Sequence, residues 1–232
     1  MSKIAFITGT RKGIGRSIAE HLANSDWTVI GCSRRDSDFK HPNYHHLNLD
    51  ISDELAVVNA LKKIKKEFGA VKALINNAGV ASMNHLLLTP SESYQKIFQT
   101  NVLGSFLVLR ETAKQMSRNG GGRIINFSSI ASPLNLEGEA LYASSKAAVE
   151  SLTKTAAKEL APMHITVNAI GPTPIETDLI KLVPKETINQ LLEKQAIPRL
   201  GTQSDILNCI DFFLKPESDF ITGQVLYLGG VN

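Results

Sequence analysis

The sequence predicts an α/β protein in which a parallel sheet of about seven strands is covered by helices on both faces. Two observations support this fold class. Short apolar runs such as Ile4–Ile7 and Val71–Ile75 show no polar alternation, which is typical of strands buried on both faces. These runs alternate along the chain with longer segments of helical periodicity, the order expected of parallel strands joined by crossover helices.

The predicted elements follow one another as repeated strand and helix units. The strands are Ile4–Ile7, Trp27–Cys32, Tyr44–Leu49, Val71–Ile75, Arg123–Phe127, Ile165–Ile170 and Val225–Leu228. The helices are Ser17–Ala23, Asp53–Phe68 capped by Ser52, Ser91–Ser117, Ala140–Leu160, one or two short helices within Glu176–Lys194, and Ser204–Leu214. No linker divides the 232 residues, so we expect one domain, 1–232. Within it, residues 173–197 are predicted to form a substrate lid, a plain connection being the alternative.

The composition is that of an ordinary globular protein. Hydrophobic residues make up 43% and charged residues 20% of the chain, and no apolar run approaches the roughly 20 residues needed to cross a bilayer. Met1–Lys3 leads directly into the first strand without the pattern of a signal peptide. We therefore expect a cytoplasmic protein with no membrane partner.

Charge and cysteine usage argue against several further classes. The net charge is +3, and its densest cluster, residues 62–66, falls in an amphipathic pattern that predicts a solvated helix face. No interleaved aromatic residues point to a nucleic-acid partner. Cys32 and Cys209 are predicted to be free thiols. No cysteine or carboxylate is spaced to complete a metal site with the three histidines of segment 41–46, so we expect no metal.

A glycine-rich turn follows the first strand. It reads Thr8-Gly9-Thr10-Arg11-Lys12-Gly13-Ile14-Gly15 and leads into a helix. Its glycines permit a tight turn and close approach of a dinucleotide to the backbone, and the helix N-terminus offers N–H groups to a pyrophosphate. Together with the element order, this turn predicts a Rossmann-type, doubly wound sheet that binds a dinucleotide. A turn without a ligand is the alternative.

The end of the second strand predicts which dinucleotide is bound. An acidic residue there would bind the 2′-hydroxyl of NAD, but the chain has Ser33 and Arg34, with Arg11 and Lys12 in the glycine-rich turn. Cationic donors suit a phosphate, so the sequence predicts NADP(H). A solvated surface cluster is the alternative.

A candidate catalytic group lies between residues 129 and 146. Tyr142 and Lys146 are four residues apart in a predicted helix and therefore share one face. A cation beside a phenol lowers the pKa of the phenol, so Tyr142 is predicted to exchange a proton near neutral pH. Ser129, at the end of the preceding strand, is placed to hold a carbonyl oxygen while Tyr142 protonates it. The hydride would have to come from a cofactor.

Several sequence motifs occur together in the order of one known family. They are Thr8-Gly9-x3-Gly13-x-Gly15, Asn76-Asn77-Ala78-Gly79, Asn101, Ser129, Tyr142-x3-Lys146 and the closing Ile221-Thr222-Gly223-Gln224. This set resembles the classical short-chain dehydrogenases/reductases over nearly the whole chain, and within them the bacterial 3-oxoacyl-(acyl-carrier-protein) reductases. The resemblance implies a homotetramer or homodimer formed through the helices that carry Asn101 and Tyr142.

The resemblance also implies a role for each matching residue. Tyr142 would be the acid/base, Ser129 would orient the substrate carbonyl, and Lys146 would lower the Tyr142 pKa and hold the nicotinamide ribose. Asn101 would position a water in a proton relay, whereas the residues alone allow a buried hydrogen bond to backbone. The implied cofactor contacts are Asp50 and Ile51 with the adenine, Asn77, Ala78 and Gly79 with the adjacent ribose, and Pro172, Ile175 and Thr177 at the nicotinamide end.

Two departures from the family pattern have consequences. The usual Pro-Gly after the sixth strand is here Pro172-Thr173-Pro174, a β-branched residue held extended, which we expect to reshape the nicotinamide end or the lid hinge. The carrier-protein reductases dock an acidic partner on basic residues, and the matching stretches 120–122 and 161–163 carry no cation. This argues against acyl carrier protein as a partner, although Arg118 and Arg123 lie close by in sequence.

Three functions are compatible with these residues. The leading hypothesis is an NADPH-dependent reductase of ketones, with small-molecule carbonyls and 3-oxoacyl thioesters as candidate substrates. An NADP-dependent alcohol or sugar dehydrogenase working in the oxidising direction is the enzymatic alternative. Glu137 and Glu139 could bind a polyol or an amine there, and two solvated loop carboxylates are the other interpretation of this pair. A non-catalytic dinucleotide sensor is the third, but a sensor has no need of Ser129, Tyr142 and Lys146 together.

Overall fold

The computed structural model describes residues 3–175 and 185–231 of the chain. Its strands are β1 Lys3–Thr8, β2 Trp27–Ser33, β3 Tyr44–Asn48, β4 Ala73–Asn76, β5 Gly122–Phe127, β6 Ile165–Gly171 and β7 Val225–Tyr227. They form one parallel sheet in the order β3-β2-β1-β4-β5-β6-β7. The strand order reverses beside β1, so the sheet is doubly wound and the predicted fold class is confirmed.

Helices cover both faces of this sheet. The described α-helices are α1 Gly13–Ala23, α2 Glu54–Glu67, α3 Ser91–Phe98, α4 Ser105–Met116, α5 Ala131–Leu134, α6 Ala140–Leu160, α7 Lys185–Leu192 and α8 Gln203–Leu214. Short 3₁₀ turns occupy Leu86–Leu88, Ala161–Met163 and Pro216–Ser218. In the described part of the chain, no helix has both the length and the apolar character needed to span a membrane.

Alternation along the strands produces two separate hydrophobic cores. In β1, Ile4 and Phe6 pack toward α2, α4 and α6, whereas Ala5 and Ile7 pack toward α1 and α8. All four side chains are almost completely buried. Burial on both faces explains why these strands read as continuous apolar runs rather than as alternating ones.

Three predicted helix boundaries were wrong. The single helix predicted over 91–117 is interrupted between α3 and α4 by a π-helical stretch, Gln99–Gly104. The cap of α2 is Asp53, whose carboxylate accepts from the Ala56 N–H at 2.9 Å, and not Ser52, whose hydroxyl donates to Asp50. Helix α1 begins at Gly13 rather than Ser17, because the glycine-rich turn runs directly into it.

Hydrogen bonds join the carboxyl ends of β1 and β4. The Thr8 hydroxyl, 1% exposed, accepts from the backbone N–H of Asn77 at 3.1 Å and of Ala78 at 3.0 Å. The Asn77 side chain donates in return to the Thr8 carbonyl at 2.9 Å. These bonds fix the glycine-rich turn against the loop that follows β4.

Thr8→Val is expected to lower the free energy of unfolding by about 1–3 kcal/mol, because valine leaves the Ala78 N–H without its acceptor and leaves the Asn77 N–H only the Ile75 carbonyl, at 3.1 Å. Urea unfolding followed by Trp27 fluorescence measures the change. Thr8→Ser keeps the hydroxyl and is the matched control. A Thr8→Val variant as stable as the wild type would show that the hydroxyl does not hold this edge together.

Candidate active site

The glycine-rich turn has the backbone that its sequence predicts. Gly9 and Gly13 have φ values of +79° and +63°, which side chains rarely adopt. A Cβ at Gly15 would lie 2.3 Å from Asn77 Nδ2, whereas one at Gly13 would meet nothing within 4 Å. The turn is therefore closely packed beneath Gly15 and open above Gly13, where α1 begins without a side-chain cap. An anion such as a pyrophosphate fits this open N-terminus.

A chain of hydrogen bonds connects this turn to the end of β2. Thr10 Oγ1 lies 2.8 Å from the Tyr44 hydroxyl, which lies 2.7 Å from His46 Nδ1. His46 Nε2 lies 3.1 Å from both Ser33 Oγ and the Arg35 carbonyl. A carbonyl can only accept, so Nε2 donates, and in a neutral imidazole Nδ1 accepts from Tyr44. Ser33 is thus held through His46 and Tyr44 by the glycine-rich turn.

Sequence reasoning missed this chain because the histidines were considered only as metal ligands or as part of a solvated loop that leads into a strand. Tyr44 and His46 are two residues apart on a strand and therefore share one face, which was the available signal. Gly31 makes room for them, since a Cβ there would lie 2.4 Å from Thr10 Oγ1 and 2.5 Å from the Tyr44 hydroxyl. Within the described residues, no group of three or more His, Cys, Asp or Glu side chains is placed to hold a metal ion.

The predicted basic cluster and the predicted adenine contacts lie around the ends of β2 and β3. Arg11, Lys12 and Arg34 are exposed. The Asp50 carboxylate accepts from the Ser52 N–H at 2.9 Å and from its hydroxyl at 2.7 Å. Burial raises the pKa of Asp50, but the Ser52 hydrogen bonds and the charge of Arg34 outweigh it and hold the pKa below its ordinary value.

Ile51 lies on the other side of this loop. Its side chain is 5% exposed and packs in the core, where a Cβ on Gly104 of the π-helical stretch would lie 2.7 Å from it. The hydrophobic side chain therefore serves the fold. Only the main chain of Ile51 remains available to a ligand, beside the Asp50 carboxylate.

The loop after β4 reaches the centre of the site. A Cβ on Gly79 would lie 3.5 Å from Lys146 Nζ and 3.3 Å from Asn101 Oδ1. Asn101, 1% exposed, donates to the Val80 carbonyl at 2.9 Å and to Ser145 Oγ at 3.0 Å, and it accepts from the Val80 N–H at 2.8 Å. The Asn101 amide therefore links the loop after β4 to α6. Its two bonds with the Val80 main chain agree with the buried hydrogen bond to backbone that the residues alone allow.

Ser129 and Tyr142 meet at the carboxyl end of β5. The two side chains lie close enough for Ser129 to lower the pKa of Tyr142, and Ser129 Oγ accepts from the Ala131 N–H at 3.2 Å. Lys146, 5% exposed, donates from Nζ to the Phe127 carbonyl at 2.8 Å and lies 5.6 Å from the centre of the Tyr142 ring. The structure thus brings the three predicted catalytic side chains together.

The pKa of Tyr142 was predicted to be low, but in the structure it lies above its ordinary value. Burial raises the pKa of Tyr142 to about 12, the neighbouring Ser129 side chain opposes the rise, and the charge of Glu139 adds to it. Burial also lowers the pKa of Lys146 to about 8, against the charge of Glu150. Desolvation therefore decides both values, and it favours the neutral form of each group. At neutral pH the phenol is protonated.

Comparison with known proteins identifies the chain. Residues 9–232 match the family model described as "Enoyl-(Acyl carrier protein) reductase". The chain belongs to the short-chain dehydrogenase/reductase family. It is 34% identical to the 3-oxoacyl-[acyl-carrier-protein] reductase FabG of Vibrio cholerae and to that of Escherichia coli, with 98% of this chain and 96% of each relative covered. Like its family, this short-chain dehydrogenase/reductase is an oxidoreductase of CH–OH or C=O groups.

Solved structures show the same fold. A structure named "ElxO with NADP Bound" superimposes with a TM-score of 0.91 at 32% identity, covering 98% of this chain and 97% of the other. The ligand-free aldohexose dehydrogenase of Thermoplasma acidophilum gives a TM-score of 0.91 at 28% identity, covering 99% and 94%. The fold of this short-chain dehydrogenase/reductase is therefore shared by a structure that contains NADP and by an enzyme that acts on aldohexoses.

The end of β6 carries the departure from the family's Pro-Gly. Thr173, 6% exposed, donates to Gln195 Oε1 at 2.6 Å, so its hydroxyl ties the strand end to the segment after α7. The Pro172 carbonyl accepts from the Ile130 N–H at 3.2 Å. The Ile175 side chain is 5% exposed and lies in the core, which leaves its main chain for a ligand. Thr177 lies outside the described residues, as does the part of the predicted lid (173–197) that falls between 176 and 184.

The low pKa of Lys146 makes the stability of this short-chain dehydrogenase/reductase depend on pH. Between about pH 8 and 10.4 the lysine is neutral when folded and charged when unfolded, so the unfolded chain binds the extra proton. The free energy of unfolding should therefore rise with pH in that range, by up to about 1.4 kcal/mol per pH unit from this group.

Lys146→Met removes this contribution, so its stability relative to the wild type should fall as the pH rises from about 8 to about 10. Chemical unfolding at intervals of one pH unit measures the difference. Lys158→Met changes an exposed lysine of the same helix and is the control. Parallel stability curves for the wild type and Lys146→Met would mean that the buried amine keeps its ordinary pKa.

Proposed function

We propose that this protein is an NADPH-dependent reductase of ketones, with 3-oxoacyl thioesters as candidate substrates. The observation that carries this proposal is the meeting of Ser129 and a protonated Tyr142 at the end of β5, beside the buried Lys146. A carbonyl oxygen placed against the two hydroxyls would accept from both. Two donors on one oxygen polarise the carbonyl carbon and stabilise the developing negative charge.

NADP(H) suits the residues at the carboxyl edge of the sheet. The open space at Gly13 and the uncapped N-terminus of α1 suit the pyrophosphate, and Ser33 and Arg34 suit a 2′-phosphate. Structures of ElxO contain NADP or NADPH, which supports the same cofactor for this similar chain. When bound, NADPH supplies the hydride that no side chain can provide.

Tyr142 acts as the proton donor. Its raised pKa keeps the phenol protonated at neutral pH, and Ser129 holds the substrate oxygen beside it. Lys146, with a pKa of about 8, is still mostly charged at neutral pH, and its charge stabilises the phenolate left after proton transfer. The Phe127 carbonyl holds the ammonium group in place for this role.

A sugar or alcohol dehydrogenase working in the oxidising direction is the second candidate. Glu139 favours it, because burial raises the pKa of this carboxyl, which lies close enough to Tyr142 to influence its ionisation and could bind a polyol hydroxyl. The similarity to an aldohexose dehydrogenase also supports this candidate. The protonated phenol favours reduction, because oxidation of an alcohol requires Tyr142 to act as a base.

We propose a free thioester or a small ketone, rather than acyl carrier protein, as the form of the substrate. The stretches that lack the family's cations meet at the amino edge of the sheet, where the Gly122 N–H donates to the His164 carbonyl at 3.2 Å. Arg118 and Arg123 lie at this edge too, and Arg123 donates to the Pro216 carbonyl at 3.4 Å. Tyr142 lies near the opposite end of α6, about 27 Å along the helix from Leu160, and at the carboxyl edge of the sheet.

For the assembly we propose a homotetramer or homodimer. Leu103 and Phe106, on the helical segment that carries Asn101, are 42% and 38% exposed. Apolar side chains of this size on one helix face suit a contact between copies of the chain.

The decisive test follows the loss of the reduced nicotinamide absorbance with NADPH and with NADH. A short 3-oxoacyl thioester, simple ketones and, in the reverse direction, aldoses and polyols form the substrate panel. We expect turnover of a carbonyl with NADPH, and a fall of at least about 100-fold in kcat for Tyr142→Phe, because the proton donor is lost. Tyr94→Phe, which changes an exposed tyrosine of α3, is the control.

Each outcome separates the candidates. Oxidation of aldoses or polyols without reduction of any ketone would replace the proposal by the second candidate. Binding of NADPH without turnover of any substrate would favour a non-catalytic dinucleotide sensor. Full activity of Tyr142→Phe would refute the assigned proton donor.

Ser33 is expected to depend on His46 for its recognition of the 2′-phosphate. In His46→Ala the Kd for NADPH should rise roughly 3- to 10-fold while the Kd for NADH stays the same, because Ser33 loses one of the two partners that orient it and keeps only the Arg35 carbonyl, to which it donates at 2.6 Å. Titration of nucleotide fluorescence measures both constants. His45→Ala is the matched control, since the neighbouring side chain points to the other face and packs on Phe68. Equal losses for both nucleotides would contradict this role.

A further inference from the structure

A buried acid lies one helical turn beyond Lys146. Glu150 is 8% exposed and follows Lys146 by four residues on α6, so the two side chains share one face with Tyr142. Burying a carboxylate is costly unless donors or a counter-ion compensate. The proposed reaction does not use Glu150 directly, and its surroundings show what compensates for its burial.

Glu150 holds the end of β5 on one side of Ser129. The Ser128 hydroxyl donates to Glu150 Oε1, and Lys146 donates to the preceding carbonyl, that of Phe127, at 2.8 Å. Two residues of α6, one helical turn apart, therefore form hydrogen bonds with two consecutive residues at the end of β5. The next residue along the chain is Ser129.

Tyr227 of β7 extends the same support to the other side of Ser129. Its hydroxyl lies close enough to Glu150 and to Ser132 for both side chains to act on its pKa. Burial raises the pKa of Tyr227, and so does Glu150, which means that the hydroxyl remains a donor. Ser128 precedes Ser129 by one residue and Ser132 follows it by three, so Glu150 reaches the chain on both sides of Ser129.

Glu150 also lies one helical turn from Lys146 on the same face of α6, near enough for its negative charge to raise the Lys146 pKa. On the inner side, the titratable groups around the pair are Tyr142 on α6 and Tyr227 on β7, and the groups from β5 are the Ser128 hydroxyl and the Phe127 carbonyl. On the outer side, Glu150 borders a groove whose charged lining residues are Lys154, Lys158 and Glu159. Among all these groups, Glu150 is the one whose charge opposes the effect of burial on the Lys146 pKa.

We propose that Glu150 is a positioning residue for the reaction: it fixes the segment that carries Ser129, and it is the counter-ion that keeps Lys146 charged. The inference rests on the proposed function, since it assigns Glu150 a task only if Ser129 and Lys146 act there. The two parts of the task can be separated, because the positioning uses hydrogen bonds and the counter-ion effect uses charge.

The test is the pH dependence of kcat/KM for the wild type, Glu150→Gln and Tyr227→Phe with NADPH and the best carbonyl substrate. Tyr142 has a pKa of about 12 and Lys146 of about 8. The fall of kcat/KM near pH 8, the alkaline limb of the profile, therefore reports the loss of the Lys146 proton. Glu150→Gln removes the charge but keeps the size, and should move this limb down by about one pH unit or more. Tyr227→Phe leaves the charge in place, so it should lower kcat several-fold without moving the limb.

A limb that stays at the wild-type pH in Glu150→Gln would overturn the counter-ion role. Wild-type kcat in Tyr227→Phe would overturn the support of Ser129. If Glu150→Gln does not fold, Glu150→Met decides the counter-ion role, because it removes the charge at nearly the same side-chain volume and should move the limb down, and a limb that stays at the wild-type pH would refute the role.

A direct measurement distinguishes failure of this inference from failure of the proposed function. NMR of protein labelled with ¹³C-lysine gives the titration of Lys146 without any turnover, with Lys146→Arg to assign the signal. A wild type inactive on every substrate would remove the proposed function, while the Lys146 titration would still report on Glu150. A Lys146 titration that is identical in the wild type and Glu150→Gln would refute the counter-ion role whatever the activity.

Discussion

The parallel register of β1, β4, β5 and β6 is the constraint on which the candidate site depends. Each strand ends at the same edge, so segments that are far apart in sequence become neighbours there. Parallel strands alone would not fix the positions of the loops that follow them relative to one another. The hydrogen bonds of Thr8 with the loop after β4, and of Asn101 with that loop and α6, convert a common edge into a fixed arrangement of backbone.

Burial is the second determinant of the candidate site, because it raises the pKa of Tyr142 and lowers the pKa of Lys146. The phenol titrates later and the amine earlier than in water, so both changes favour the uncharged form. The centre of the site is therefore an environment that disfavours charge and must offset it with hydrogen bonds, as the Phe127 carbonyl does for the ammonium group. The prediction from sequence treated Lys146 as an isolated cation and therefore overlooked the free-energy cost of burying its charge.

The fold and most of the site positions could be predicted because they follow from local patterns. Apolar runs identified every strand to within one or two residues, and the spacing of Tyr142 and Lys146 on one helix face was correct. What could not be predicted depends on three-dimensional context. The π-helical stretch contains Asn101, whose side-chain amide donates to the Val80 carbonyl, a contact between distant parts of the chain. Arg118 and Arg123 lie at the amino edge of the sheet because of the direction of β5, which their distance from the catalytic residues in sequence does not reveal.

Gly31 has a consequence for how this chain could change over evolution. It lies in the middle of β2, yet a side chain there would collide with Thr10 and Tyr44, which hold His46 and through it Ser33. A substitution at position 31 would therefore be tolerated only together with smaller residues at 10 or 44, and the effect of a change at 33 would depend on which residue occupies 46. These positions form an epistatic unit. Nucleotide preference in such a lineage would shift through linked replacements, each conditional on the others, rather than through one exchange at the strand end.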